Sequence, residues 1–251
     1  MGNPLRLVAG LAAVVLASVI GLSLLPAGGF GGGPGVPSPT PTPLPTPIPS
    51  PLTVGDFAPL AAGTYVTDDP FLARITFTLP AGWQGNMGGP YLVDLSQGTG
   101  PTAVAFSIFD TIYADPCDFT KGPLAPRPGS SVDDLATALA SLPNIGVTAP
   151  TDITIDGFHG KQLTLTAPAS LAGCTLSPEG DMRLWDYPLG ATYGIGAGVR
   201  DTLWILDVDG QRLVIDAPEP PGQTAATKAE VQGVLDSLHL AAVPTPSPSP
   251  S

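Results

Sequence analysis

Charge is scarce in this 251-residue chain: Asp, Glu, Lys and Arg together make up 12% of it, nine residues are basic, and the net charge is −12. A nucleic-acid surface needs clustered Lys and Arg to displace counterions. Here Lys121, Lys161 and Lys228 are scattered, which excludes that class of partner. The same shortage disfavours electrostatic docking on anionic lipid, and the acidic excess reads as ordinary solvated surface. Histidine is limited to His159 and His239, neither with a partner at metal-ligand spacing. Cysteine is limited to Cys117 and Cys174, and the absence of Cys-x-x-Cys excludes the usual redox-active pair. Gly-x-Ser-x-Gly, Ser-x-x-Lys and His-Glu-x-x-His are also missing. The sequence therefore assigns no catalytic, cofactor-binding or metal-binding residue, and the expected cofactor is none.

What is abundant lies at the amino end. Leu7 to Leu25 is an apolar run without a charge, Asn, Gln, His or Pro. At helical rise it is about 28 Å long, close to the roughly 30 Å hydrocarbon core of a bilayer. Arg6 precedes it and no Lys or Arg follows until Arg74, so the amino end is expected to stay inside and the body to be exported. Two fates are open. The run exceeds the usual apolar region of a cleaved leader, which favours an uncleaved signal anchor, whereas Leu25-Pro26-Ala27-Gly28-Gly29 offers a cleavage site and a secreted product. Cys117 is the first cysteine, so no lipid-attachment cysteine follows the run.

Composition then divides the chain into an anchor or leader (1–25), a Gly/Pro/Ser/Thr-rich linker (26–54), an exported domain (55–242) and a Pro/Ser tail (243–251). Alternate prolines hold the linker near polyproline II, a semi-rigid spacer of about 60 to 80 Å. The domain is long enough for one core.

Within it, Ile75, Phe77 and Leu79 alternate with threonines and predict a strand over 74–79, ended by Pro80-Ala-Gly-Trp83. Further strands are expected at 91–95 and 102–109, the latter with a small-residue face that suits a covering helix. Ser131 is placed to cap a helix over 132–142, with Asp133 and Asp134 at its positive end and Pro143 as its stop. Strands over 152–155 and 161–166 flank Asp156-Gly157, and the stretch 169–198 reads as irregular. Asp209-Gly210 between two apolar runs predicts a hairpin of 202–208 with 211–217, and the consecutive Leu203, Trp204, Ile205 and Leu206 place it centrally. Thr227 and Glu230 suggest a capping box for a last helix bearing Val231, Val234, Leu235 and Leu238, followed by a short strand.

Several residues invite chemistry and have plainer readings. Asp207-Val-Asp209-Gly210 lacks the later ligands of a calcium loop and reads as a turn. Gly194-Ile-Gly196-Ala-Gly198 lacks the following helix and acid of a dinucleotide site. Trp83, Trp185 and Trp204 read as packing. In an oxidising space Cys117 and Cys174 are expected to pair, the alternative being two free thiols. Asp110, Asp115 and Asp118 form a loose acidic group near Cys117.

The strand ending in Pro80-Ala-Gly-Trp83, the capped helix at 132–142, the hairpin at 203–215 and the helix running into Asp236-Ser237-Leu238 occur in an order that resembles the Mog1/PsbP-like superfamily, including mycobacterial lipoproteins of the LpqN type. The resemblance implies helices packed on the faces of an antiparallel sheet, and binding rather than catalysis. No functional residue is carried across by it. The expectation is thus a single α+β domain, mainly antiparallel with at least two packed helices, behind one transmembrane helix (Leu7 to Leu25) and a Pro-rich stalk. Its expected role is membrane-anchored binding, sensing or interaction outside the cytoplasm. Its partners would be the membrane and another envelope or membrane protein. The alternatives are an envelope hydrolase using Asp110, Asp115 and Asp118, and a structural envelope component.

Overall fold

The computed structural model describes residues 50–51, 58–67, 73–86, 91–94, 102–187 and 192–242. Leu7 to Leu25, nearly all of the linker and the tail lie outside them. Among the described residues no helix is long and apolar enough to cross a membrane. The folded elements belong to one unit, Thr46–Ser251.

The strands run β1 (Ser50–Pro51), β2 (Ala58–Pro59), β3 (Gly63–Thr67), β4 (Ala73–Leu79), β5 (Gln84–Asn86), β6 (Tyr91–Asp94) and β7 (Thr102–Ser107) before the first α-helix, α1 (Val132–Ala140). Then come β8 (Gly146–Val147), β9 (Thr151–Ile155), β10 (Phe158–Thr166), β11 (Met182–Asp186), β12 (Thr192–Ile195), β13 (Arg200–Val208), β14 (Gln211–Glu219), α2 (Ala225–Asp236) and β15 (His239–Ala242). The main sheet has the order β2-β5-β6-β7-β14-β13-β10-β8, with β9 also paired to β10. A second sheet has the order β1-β3-β4-β15, and β11 with β12 forms a separate hairpin. Apart from β1 with β3, the strand pairs are antiparallel. This is an α+β domain.

Two tight turns set the register of the main sheet. Asp209 and Gly210 have φ of 53° and 86°, and Asp156 and Gly157 have φ of 48° and 86°, the paired positive values that join twisted strands most compactly. The first turn pairs Val208 with Gln211 and hence Leu203 with Asp216, and β10 lies on the other side of β13. Gly160 is required there, because a Cβ would stand 2.1 Å from the Ile205 carbonyl oxygen.

Alternation along β13 and β14 feeds two cores. Leu203, Ile205 and Val214 pack with Leu135 and Leu139 of α1, Leu163 and Leu165 of β10, and Met182, Leu184 and Trp185 of the small hairpin. Leu206, Leu213 and Ile215 face the opposite way, towards Ile75, Phe77, Val104, Phe106, Val234 and Leu238. There the rings of Phe77 and Phe106 lie 5.5 Å apart, joining the two sheets.

Three expectations need correction. The stretch 169–198 is not irregular throughout, since it holds β11 and β12; a register shift between Arg183 and Trp185 places Leu184 and Trp185 both inside and erases the period. The last helix starts a turn earlier than Thr227: Thr224 is its N-cap and accepts from the Thr227 amide. The covering helix does not lie on the small-residue face of β7. Val234 shares a core with Val104 and Phe106, whereas Ala105 stands opposite Asp216.

Candidate functional site

Cys117 and Cys174 are joined by a disulfide, with Cα atoms 4.7 Å apart. The strands of chain around them are zipped together as well, through Thr175 N to Cys117 O (2.8 Å) and Phe119 N to Thr175 O (3.2 Å).

Of the three carboxyls weighed as a hydrolytic group, two serve separate structural ends and the third stands at the surface. Asp115 is buried and accepts from Lys121 Nζ (2.6 Å), Asn144 Nδ2 (3.0 Å) and the Cys117 amide (3.0 Å). Burial alone would push its pKa up, but those donors together hold it below the ordinary carboxylate value. Asp118 caps the short 3-10 helix Phe119–Lys121. Asp110 is exposed and faces Arg127 at 3.5 Å. Among the described residues no group of three or more His, Cys, Asp or Glu is placed to hold a metal ion.

The remaining candidates take the plainer reading. Asp207 Oδ1 accepts from the Gly210 amide (2.7 Å), closing the turn, and no helix follows the glycines of 194–198. His159 meets Thr154 (3.0 Å), and His239 lies 3.5 Å from Asp156. Trp83 and Trp185 are buried in the two cores, and Trp204 packs half-buried beside the second. Asp133 and Asp134 sit in the first turn of α1, where Ser131 and Asp134 form a reciprocal capping box.

A groove of about 800 Å³ opens where the tip of the β13–β14 hairpin meets the loop before α1. Asp110, Arg127, Ser130, Asp186, Gln211 and Arg212 supply its polar lining. A neighbouring groove of about 490 Å³ shares Ser130, Gly210 and Arg212 and adds Asp133, Asp152, His159 and Lys161. Arg212 is the wall between them. Its Nη1 donates to Gly129 O (2.5 Å) and Ser131 O (3.1 Å), and its Nη2 to Phe109 O (2.7 Å). Burial lowers its pKa against the pull of Asp110 and Asp134, yet a guanidinium keeps its charge.

At the other side of the larger groove Asp186 is held by Arg183 (3.0 Å), Thr192 (3.1 Å) and the Tyr113 hydroxyl (3.2 Å). Arg183 also stacks 4.6 Å over the Tyr113 ring. Burial and Asp186 raise the Tyr113 pKa, so the phenol remains a donor. Gln211 lines this groove, but its Oε1 is closed to solvent and has no hydrogen-bond partner among the described residues. In the smaller groove Lys161 pairs with Asp152 at 2.5 Å and Asp133 at 3.5 Å.

No family model matches the chain, and no curated protein matches it. Among solved structures it is similar to LpqN, involved in cell envelope biogenesis of Mycobacterium tuberculosis, at 13% identity and a TM-score of 0.38, covering 71% of this chain and 91% of that one. Nothing about function transfers at that likeness.

The sequence reading missed Arg127, Asp186, Gln211 and Arg212. Arg212 carried the only usable signal, a charge two residues beyond a hairpin turn inside an apolar strand.

Proposed function

We propose that this chain is an extracytoplasmic binding or interaction domain, carried on an amino-terminal membrane anchor and a Pro-rich stalk, that takes a polar ligand in the larger groove. The export half of the reading is supported by the closed Cys117–Cys174 disulfide, a bond that persists in oxidising compartments. The binding half is carried by one observation. Arg212 and Asp186 stand at the cleft as a guanidinium and a carboxylate that the fold already holds in place, Arg212 on the Gly129, Ser131 and Phe109 carbonyls and Asp186 on Arg183, Thr192 and Tyr113. Fixed donors and acceptors around an 800 Å³ cleft make a preorganised recognition surface. The ligand is of a class with both donors and acceptors, such as a soluble saccharide or short peptide of the envelope.

The test is a thermal-shift screen of such fragments against the native chain and Ser130→Trp, which fills the groove from an exposed position. A ligand at a hundred times its Kd stabilises by about 2.7 kcal/mol, or roughly 5–10 °C for a domain of this size. The shift should appear in the native chain and vanish in the variant. Equal shifts in both, or none across the panel, would count against the groove.

A further inference from the structure

On the α1 side of the main sheet two acids are sealed from water. Asp201 of β13 and Asp216 of β14 are both 0% exposed. The hairpin register sets Asp216 opposite Leu203 and Asp201 opposite Pro218, so they are diagonal neighbours on one face. Across the next strand Asp216 stands opposite Ala105, whose small side chain leaves room for a carboxyl. Among the described residues neither oxygen of Asp216, nor Oδ1 of Asp201, nor the Ser107 hydroxyl on the same face has a hydrogen-bond partner.

The cover over this face is the β11–β12 hairpin. Tyr193 of β12 donates its hydroxyl to Asp201 Oδ2 at 2.9 Å, and its ring stacks on Trp185 of β11, which stacks on Phe109. Among the described residues the hairpin shares no backbone ladder with the main sheet. It is held by these contacts, by its apolar side chains and by links to Thr111 and Tyr113.

We propose that Asp201 and Asp216 form a proton-holding latch: while both carry protons the β11–β12 hairpin stays seated through Tyr193, and their ionisation releases it. Two buried negative charges side by side cost more than the packing above them returns, whereas two neutral acids cost only the lesser penalty of unpaired polar groups. The titratable group facing the pair is Tyr193 of β12, against which Tyr187, just after β11, packs; β7 contributes Ala105 and Ser107, and β10 and α1 contribute leucines. Among the described residues no Lys or Arg bonds the unpartnered oxygens.

Burial pushes Asp201 up to about 7, against the hydrogen bond from Tyr193 and the Ala217 amide. Burial and the neighbouring Asp201 push Asp216 well above the ordinary value. Asp201 therefore loses its proton first and keeps the Tyr193 donor, while Asp216 has no donor to replace its own. The seated form holds more protons than the open form, so seating weakens as pH rises from the ordinary 3.8 through about 7. Asp186, the last residue of β11, and Tyr187 after it line the larger groove, so release of the hairpin reshapes that groove. A bound cation is the other way to neutralise such a pair. Calcium takes six to eight oxygens, and the described residues bring four unpartnered side-chain oxygens here.

The test follows backbone hydrogen exchange of β11 and β12 in the full chain from pH 4.5 to 9, corrected for intrinsic rates, with calcium or with chelator. An infrared spectrum at pH 6 reports protonated carboxyl groups. Release of at least one proton on opening makes the open population grow at least about tenfold per pH unit between pH 4 and 7. The double variant Asp201→Asn/Asp216→Asn should show a flat profile, Asp216→Asn a shallower one than the native chain, and both variants should lose infrared intensity from protonated acid. If the double variant fails to fold, the native profile, the infrared band and Asp216→Asn decide. A native profile independent of pH, no protonated acid at pH 6, or protection that follows calcium instead of pH would overturn the latch.

Discussion

Asp115 shows how a charge can be consumed by a fold. Its carboxylate joins Lys121, Asn144 and the Cys117 amide, and so ties the disulfide segment to the turn after α1. Replacing it with Ala strands those donors and should lower unfolding free energy by about 3 kcal/mol, read by denaturant titration. The pH dependence has a definite sign. Because the folded pKa is depressed, the contribution is present above the ordinary 3.8 and is lost as acid carries the protein down through the folded value. Asp115→Asn should remove that acid-side loss. Asp201 and Asp216 act in the opposite direction, so stability is expected to peak in mildly acidic solution. Gly160 is the other residue with no freedom: Gly160→Ala drives a methyl against the Ile205 carbonyl, at the upper end of the roughly 1–3 kcal/mol of an overpacked site.

Elements that carry their own punctuation were legible in the sequence. Ser131 and Asp134 cap α1 reciprocally, and Ser131→Ala should cost about 1 kcal/mol, measured by thermal unfolding. The β13–β14 hairpin follows from Asp209-Gly210 with its central position intact. By contrast β11 hides its inward set behind a register shift, and β12 is too short to show a period. The alanines of β7 were read as the seat of a helix when they make space beside Asp216. That acid was within reach of the sequence, since counting back from the predicted turn pairs residue 216 with Leu203 and sets it on a buried face. The groove was not, because Asp110, Asp186 and Arg212 come from three distant stretches that only the fold brings together.

At the scale of the molecule, stability is concentrated in the β7-β14-β13-β10 centre, with a core on each face. The disulfide closes a loop of 57 residues at one side of that centre. Reduction should lower unfolding free energy by about 4 kcal/mol on the chain-entropy account, seen as a lower denaturant midpoint under reducing conditions. The proposed role requires the domain to stand outside the membrane with this bond closed. The direct measurement is digestion of the full chain by protease added to spheroplasts. The account expects the domain to be cleaved without lysis, leaving only a short amino-terminal fragment with the membrane. A domain that stays protected until the membrane is broken would contradict it.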